Sequence, residues 1–191
     1  GAYAGTVVSG DVHSAKQKAA GLPTRSTAKT FIYGFLYGAG AQKIGSIVGK
    51  GAKEGAQLKA RFLKQLPALD KLITKVQKAS ERGHLIGLDG RQLKVRSSHA
   101  ALNTLLQSAG GLICKQWIVE FDRALKEAGL SSSCNQVCWI HDEIQLEVKE
   151  DMADDIGKLA VECIGRAGDF FGVRCELTGE YRVGNNWAET H

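Results

Sequence analysis

Several features are scarce or missing in these 191 residues. No apolar run approaches the roughly 20 residues that a helix needs to cross a bilayer. The opening stretch, GAYAGTVVSGD, has neither the basic nor the apolar region of a secretory signal. Cysteine occurs five times, at Cys114, Cys134, Cys138, Cys163 and Cys175, and the count is odd with no CxxC pair. Cys134 and Cys138 have no further metal-ligating neighbours, so reduced, mostly buried thiols are expected rather than a zinc site or a disulfide framework. Phosphate-loop motifs fail too. Gly45-Ser46-Ile47-Val48-Gly49-Lys50 has three residues between its glycines where a P-loop has four, and no GxGxxG occurs. Internal repeats and low-complexity linkers are absent. These absences point to a cytoplasmic protein with no membrane partner. The first residue is Gly1 and not Met, so a fragment, a processed product or one piece of a split protein is expected.

What is present is ordinary in bulk. Hydrophobic residues make up 43% and charged residues 24%, the balance of a globular protein. The length suits one medium domain or two small lobes sharing a core. A net charge of +5 is compatible with a polyanionic partner such as nucleic acid without demanding one.

The patterning is helical first and extended later. Thr24 is a plausible N-cap for a helix over about 24–38 that stops at Gly38-Ala39-Gly40, and a second helix covers about 41–48. From about Lys53 to Arg82 the pattern is helical and basic. Leu58, Phe62, Leu63 and Leu66 form one apolar stripe, and Leu69, Leu72, Ile73 and Val76 form the next, after Pro67. Lys59, Arg61, Lys64, Lys71, Lys75, Lys78 and Arg82 decorate the outside, and a solvated face is the default reading for most of them. Asp89-Gly90 marks a hairpin turn within 85–95. A long helix follows over about 98–127. Two strands, about 136–140 and 144–148, flank His141-Asp142-Glu143, and the second alternates cleanly in Ile144, Leu146 and Val148. A helix over about 151–171 and a short strand near 173–177 complete a mixed α+β class with helices first and a small antiparallel sheet late.

One helix carries chemistry. In RSTAKTFIYGFLYG, Arg25, Lys29, Tyr33 and Tyr37 recur every fourth position and sweep through about 120° of one face. Ala28, Phe31, Ile32, Phe35 and Leu36 occupy another sector. The apolar sector faces a core and the Arg-Lys-Tyr-Tyr row faces away. Cations suit phosphates, and phenol rings suit a sugar or a base. Gly34 costs about 1 kcal/mol against alanine in a helix interior, and a gap there would let a flat group approach the backbone.

The stretch RSTAKTFIYGFLYGAG resembles motif B, the fingers helix of family A DNA polymerases, in the pattern R-x3-K-x3-[FY]-x3-Y-G. The resemblance is to the phage replicative type. It implies that Arg25 and Lys29 grip an incoming deoxynucleoside triphosphate, and that Lys29 protonates the departing pyrophosphate. It also implies Tyr33 beside the sugar and Tyr37 near the template base. Gly10-Asp11-Val12-His13 resembles the family stretch just before this helix, which implies His13 at the phosphates.

Two further blocks resemble the same family. Val137–Val148 is similar to motif C, whose His-Asp-Glu tip presents an aspartate to catalytic magnesium. That similarity implies Asp142 as catalytic and, with Glu143, as a metal ligand of a two-metal Mg2+ site, with His141 near DNA. Adjacent residues of an extended chain point to opposite faces, so this pair alone cannot bridge two ions about 4 Å apart. The family supplies a second aspartate on motif A, which is absent here, so the partner carboxylate is expected on a missing N-terminal portion. Arg96-Ser97-Ser98-His99 and the following helix resemble the palm segment that tests the minor groove. His99, Asn103 and Gln107 fall at i, i+4 and i+8 along one face. Amides there can test pair shape, because A·T and T·A show acceptors at the same minor-groove positions. The ending Asn185-Asn186-Trp187-Ala188-Glu189-Thr190-His191 resembles a family C-terminus.

The reading is a fingers portion over 1–83 and a C-terminal palm portion over 84–191 of a DNA-directed DNA polymerase. It would transfer nucleotides from dNTPs to a primer 3′-hydroxyl during replication and be inactive as this chain alone. Primer-template DNA, dNTP, the portion carrying motif A, and a processivity factor on a thumb outside the chain are the expected partners, in the host cytoplasm if the origin is a phage. Two rivals stand beside it. A single-subunit RNA polymerase fragment typically has Ser where Glu143 stands, and a non-catalytic DNA-binding remnant would need neither Lys29 nor Asp142.

Overall fold

A computed structural model describes Leu22 and residues 24–190. The chain divides into two compact units, Gly1–Ser108 and Ala109–His191. The class is mixed α+β, with two separate two-stranded antiparallel sheets among the described residues.

The first unit opens on α1 (Arg25–Leu36), capped by Thr24, whose Oγ1 accepts the Thr27 N–H at 3.1 Å. It continues through α2 (Ala41–Ile47), α3 (Ala52–Gln65) and α4 (Pro67–Ser80). Ala28, Phe31, Ile32 and Phe35 of α1 are buried together with Ile44, Leu58 and Phe62. Phe62 meets the rings of Phe31 and Phe35 edge-on, each at 5.1 Å, the geometry that aromatic quadrupoles favour. Pro67 occupies the first turn of α4, where its missing N–H costs nothing, so α4 starts directly after Leu66. α2 and α3 approach through glycines. A methyl group on Gly55 would lie 1.9 Å from the Ala41 carbonyl oxygen. The Asp89-Gly90 turn joins β1 (His84–Ile86) to β2 (Gln92–Lys94), with His84 opposite Lys94 and Gly90 at φ +81. Val76, Leu85 and Ala101 bury one another beneath this hairpin.

The division at 108/109 falls inside α5 (Ala101–Glu127), which is preceded by a 3-10 turn at Ser98–Ala100. The second unit adds β3 (Cys134–Ile140), β4 (Glu143–Val148), α6 (Ala153–Phe170) and the short α7 (Trp187–Thr190). Trp117 and Phe121 of α5 pack against Ile156, Ala160, Cys163 and Ala167 of α6, with Ile144, Leu146 and Val148 against the same core. The Trp117 indole donates to the Ala160 carbonyl at 2.7 Å, a buried bond that satisfies its polar handle. Pairing of β3 with β4 shifts register between Gln136 and Cys138, leaving Val137 outward and 67% exposed.

The strand expected near 173–177 is not formed. A strand needs a neighbour's N–H and C=O groups, and among the described residues no strand pairs with this segment. Side-chain packing on α6 holds the stretch from 177 to 181 instead. Leu177 lies over Gly168, and Tyr181 lies over Gly157 so closely that a methyl group there would sit 2.3 Å from the ring.

Two glycine substitutions should part in sign. Gly55→Ala places its methyl on backbone that cannot yield, and should cost about 2 kcal/mol or more, as overpacking does. Gly110→Ala lies in mid-helix with nothing within 4 Å and should stabilise by about 1 kcal/mol. Urea unfolding of both variants measures this, and equal shifts would refute the close α2–α3 approach.

Candidate functional site

The Arg25, Lys29, Tyr33 and Tyr37 row is exposed along α1, opposite the buried Ala28, Phe31, Ile32 and Phe35. Tyr33 and Tyr37 are 48% and 54% exposed, with rings 6.3 Å apart and tilted by 30°. Two large phenols thus lie at the surface next to a phenylalanine core. His13, expected to join this row, lies outside the described residues.

Gly34 does not serve as expected. A methyl group there would meet Ile47 Cδ1 at 3.3 Å and Ile44 Cδ1 at 3.6 Å, so α2 covers that side of the helix. The glycine allows close packing of α2 and offers no open backbone to a flat ligand. Lys59 also departs from a solvated face. Its Nζ donates to the Ala39 carbonyl at 3.0 Å and lies 5.7 Å from the Phe35 ring centroid, tying α3 to the loop that ends α1.

That loop brings two distant segments together. Gly38 adopts φ +78, which a side chain would resist, and a methyl group on it would fall 2.3 Å from the His99 carbonyl oxygen. With this approach made, the Gln107 side-chain amide lies 3.4 Å from the Tyr37 hydroxyl as its donor. The phenol row of α1 therefore runs into the amide row of α5. His99 and Gln107 are exposed, Asn103 is half-buried and Arg96 is exposed just before the 3-10 turn. One surface of the first unit thus carries cations, then phenols, then uncharged amides.

The acidic turn belongs to the second unit. Ile140 pairs with Glu143, so His141 and Asp142 form a two-residue turn. His141 has φ +55, the sole positive value at a non-glycine among the described residues. Tight hairpins require a positive φ at a central position, which glycine usually supplies, and histidine accepts it at a cost of about 1 kcal/mol or more. The Trp139 indole offsets that cost in part by donating to the His141 carbonyl at 2.8 Å. His141 and Asp142 are exposed, and Glu143 is half-buried. Glu143 Oε1 accepts from Gln145 Nε2 at 2.6 Å and from Trp187 Nε1 at 3.3 Å. Beside the turn, burial and then the negative charge of Asp142 push the Cys114 thiol up, which keeps it protonated and unreactive.

Among the described residues no three His, Cys, Asp or Glu side chains cluster as a metal cage. Asp142 and Glu143 nonetheless offer hard oxygen donors at one turn. Mg2+ is commonly held by one or two carboxylates together with substrate phosphates and water rather than by a protein cage. The donor set fits that mode.

The tryptophans were not legible as site residues. Trp139 and Trp187 are separated by the whole of β4 and α6, and no spacing announces that both indoles serve one turn.

Residues 6–189 match the family described as DNA polymerase family A. The chain is 44% identical over its whole length to the DNA-directed DNA polymerase of Enterobacteria phage T3, and 44% identical to that of Escherichia phage T7. It covers 30% of each, so it spans under a third of the length of these relatives. It is 27% identical to a DNA polymerase I of Pseudomonas aeruginosa, over 87% of this chain and 19% of that protein. Among solved structures it is similar to the POL domain of Pol1 from M. smegmatis in complex with DNA primer-template and dNTP. That similarity has a TM-score of 0.75 at 23% identity, covers 84% of this chain and 32% of that one, and speaks to fold. Among the described residues no helix is long and apolar enough to cross a membrane.

Gly38→Ala should uncouple the two rows. The methyl must displace the His99 carbonyl or force the loop out of its left-handed conformation. The expected result is about 2 kcal/mol of lost stability together with loss of Tyr37–Gln107 proximity. The Gln107 side-chain amide resonances report it: they should move on Tyr37→Phe in the parent background and stay unmoved by it in the Gly38→Ala background.

Proposed function

Because the chain belongs to DNA polymerase family A, we propose that it supplies the nucleotide-gripping helix and part of the catalytic floor of a DNA-directed DNA polymerase. In this reading, residues 1–83 contribute to the fingers and residues 84–191 to the palm. The observation that carries it is the continuous surface on which Arg25, Lys29, Tyr33 and Tyr37 lead into Gln107. A nucleotide pairing with a template needs such neighbours in such an order: cations for a triphosphate, an aromatic for sugar and base, and amides for the minor-groove edge of the new pair.

In this mechanism Arg25 and Lys29 hold the triphosphate as paired cations, with His13 reaching the same phosphates. Lys29 gives its proton to pyrophosphate as negative charge develops on the leaving oxygen, a contribution greatest in the transition state. Tyr33 packs beside the sugar and Tyr37 beside the template base. Arg96, His99, Asn103 and Gln107 hold the primer-template through groove and backbone contacts. Asp142, with Glu143 beside it, would hold Mg2+, whose charge, when bound, favours attack by the 3′-hydroxyl and departure of pyrophosphate.

Two adjacent carboxylates do not complete a two-ion site, and the relatives are more than three times as long as this chain. We assign the further carboxylate to a segment outside these residues. The second unit has room for one. A cavity of about 680 Å³ lies between β4 and the extended residues 178–184, floored by Trp117, Ile156 and Ala160. Asp142 and Glu143 stand at its border. An added strand there would find an edge of β4 that no described strand covers.

The expected behaviour follows from this division. The isolated chain should bind primer-template DNA weakly and with strong salt dependence, and should not extend it. Addition of the upstream segment of a phage relative should restore Mg2+-dependent extension, and Asp142→Ala should abolish it. Robust extension by the 191 residues alone, lost on Asp142→Ala, would show that a carboxylate within this chain completes the site.

Lys29→Ala in the restored enzyme should lower kcat by about 100-fold or more, the scale of a lost electrostatic contact to developing charge. Binding to primer-template without nucleotide should hardly change. A loss of DNA affinity as large as the loss of rate would make Lys29 a DNA contact instead.

A further inference from the structure

We propose that Trp187, near the end of the chain, is a positioning residue for Glu143, holding that carboxylate in one orientation beside Asp142. This rests on the polymerase reading of the acidic turn.

The contact is one of a set. Glu143 and Gln145 are alternate residues of β4 and so share a face. Glu143 Oε1 accepts from both Gln145 Nε2 and Trp187 Nε1, while Gln145 Oε1 accepts from Thr190 Oγ1 at 3.2 Å. α7 thus grips two neighbouring side chains of β4 at once. Four residues make too short a helix to hold itself. A carboxylate closes the segment instead. Glu189 accepts from the Asn185 N–H at 2.8 Å and from Asn186 Nδ2 at 2.7 Å. Gly184 lets the chain fold back on it, because a methyl group there would lie 2.6 Å from Glu189 Cβ. Upstream, Tyr181 is seated on Gly157 and donates to Asp154 at 3.2 Å, which anchors the approach to this knot on α6.

The choice of donors carries the functional argument. Trp187 is 48% exposed, so water could serve both its N–H and the carboxylate, and the bond adds little to stability. Its use is orientation. These two donors onto Oε1 are neutral, an amide and an indole. They orient the carboxylate without themselves cancelling the charge that acts on a cation. Outer partners of this kind set the geometry of metal-binding carboxylates.

The test has two readouts. In the 191-residue chain, the indole N–H resonance of Trp187 should move on Glu143→Gln, while that of Trp117, bonded to Ala160, should not. In the enzyme restored with the upstream segment, Trp187→Phe keeps the ring and loses the donor. It should raise the Mg2+ concentration for half-maximal extension roughly tenfold, the lower end of the cost of losing an outer partner. DNA affinity, nucleotide KM and thermal stability should stay the same. A Trp187 resonance indifferent to Glu143→Gln overturns the inference. So does an unchanged metal requirement in Trp187→Phe, or a change explained by lost stability. If the unaltered restored enzyme extends no primer, the polymerase reading falls, and with it the metal-site role of Trp187, whatever the resonance does.

Discussion

Where α1 ends, the backbone of Gly38 passes the carbonyl of His99 at a distance that no side chain could tolerate. This approach decides the surface of the first unit. It brings a helix that begins at Arg25 against one that begins at Ala101, so that Tyr37 reaches Gln107. Neither tyrosine belongs to the core, where Phe31, Phe35 and Phe62 pack with Ala28, Ile32, Ile44 and Leu58. The next carbonyl along, that of Ala39, takes the Lys59 ammonium, and the same cation lies against the Phe35 ring. A turn in a left-handed conformation, a backbone contact and one cation together fix where the phenol row stops and the amide row starts.

The second unit has a different logic, in which strain is held by donors from outside the turn. His141 occupies a conformation that most residues avoid, and the Trp139 indole bonds the carbonyl that this conformation exposes. Glu143 leaves the turn on the first pair of β4 and is met by donors from β4 itself and from α7. Asp142, between them, remains exposed. A hairpin tip on its own would be mobile. Tied on both flanks, it presents one carboxylate with a second oriented beside it.

Both units use glycine in the same way. Gly45 and Gly55 let α2 and α3 touch through backbone, and Gly157 and Gly168 let the extended segment lie down on α6. Each position gives up helix propensity and gains an approach that larger side chains would prevent. The extended segment keeps its place by side-chain packing and by the Tyr181–Asp154 hydrogen bond, with a cavity between it and β4.

Much of this was legible in the residues. The cap at Thr24, the two faces of α1, the Asp89-Gly90 turn and the hairpin around His141-Asp142-Glu143 follow from periods of two and about 3.6 and from turn chemistry, although Glu143 joins β4 opposite Ile140 and leaves a two-residue turn. These are properties of neighbours along the chain, and a single sequence contains them. The role of Gly34 was not legible, because whether a missing side chain leaves a gap depends on what packs there, and Ile44 and Ile47 do. The same holds for Lys59, whose partner is twenty positions away, and for 173–177, where β-propensity found no neighbour to pair with. It holds above all for Trp187 and Glu143, 44 positions apart and joined by one hydrogen bond. Sequence determined the elements, their faces and the family. Tertiary structure alone decided which faces meet, because a contact between distant segments is set by the packing of everything between them.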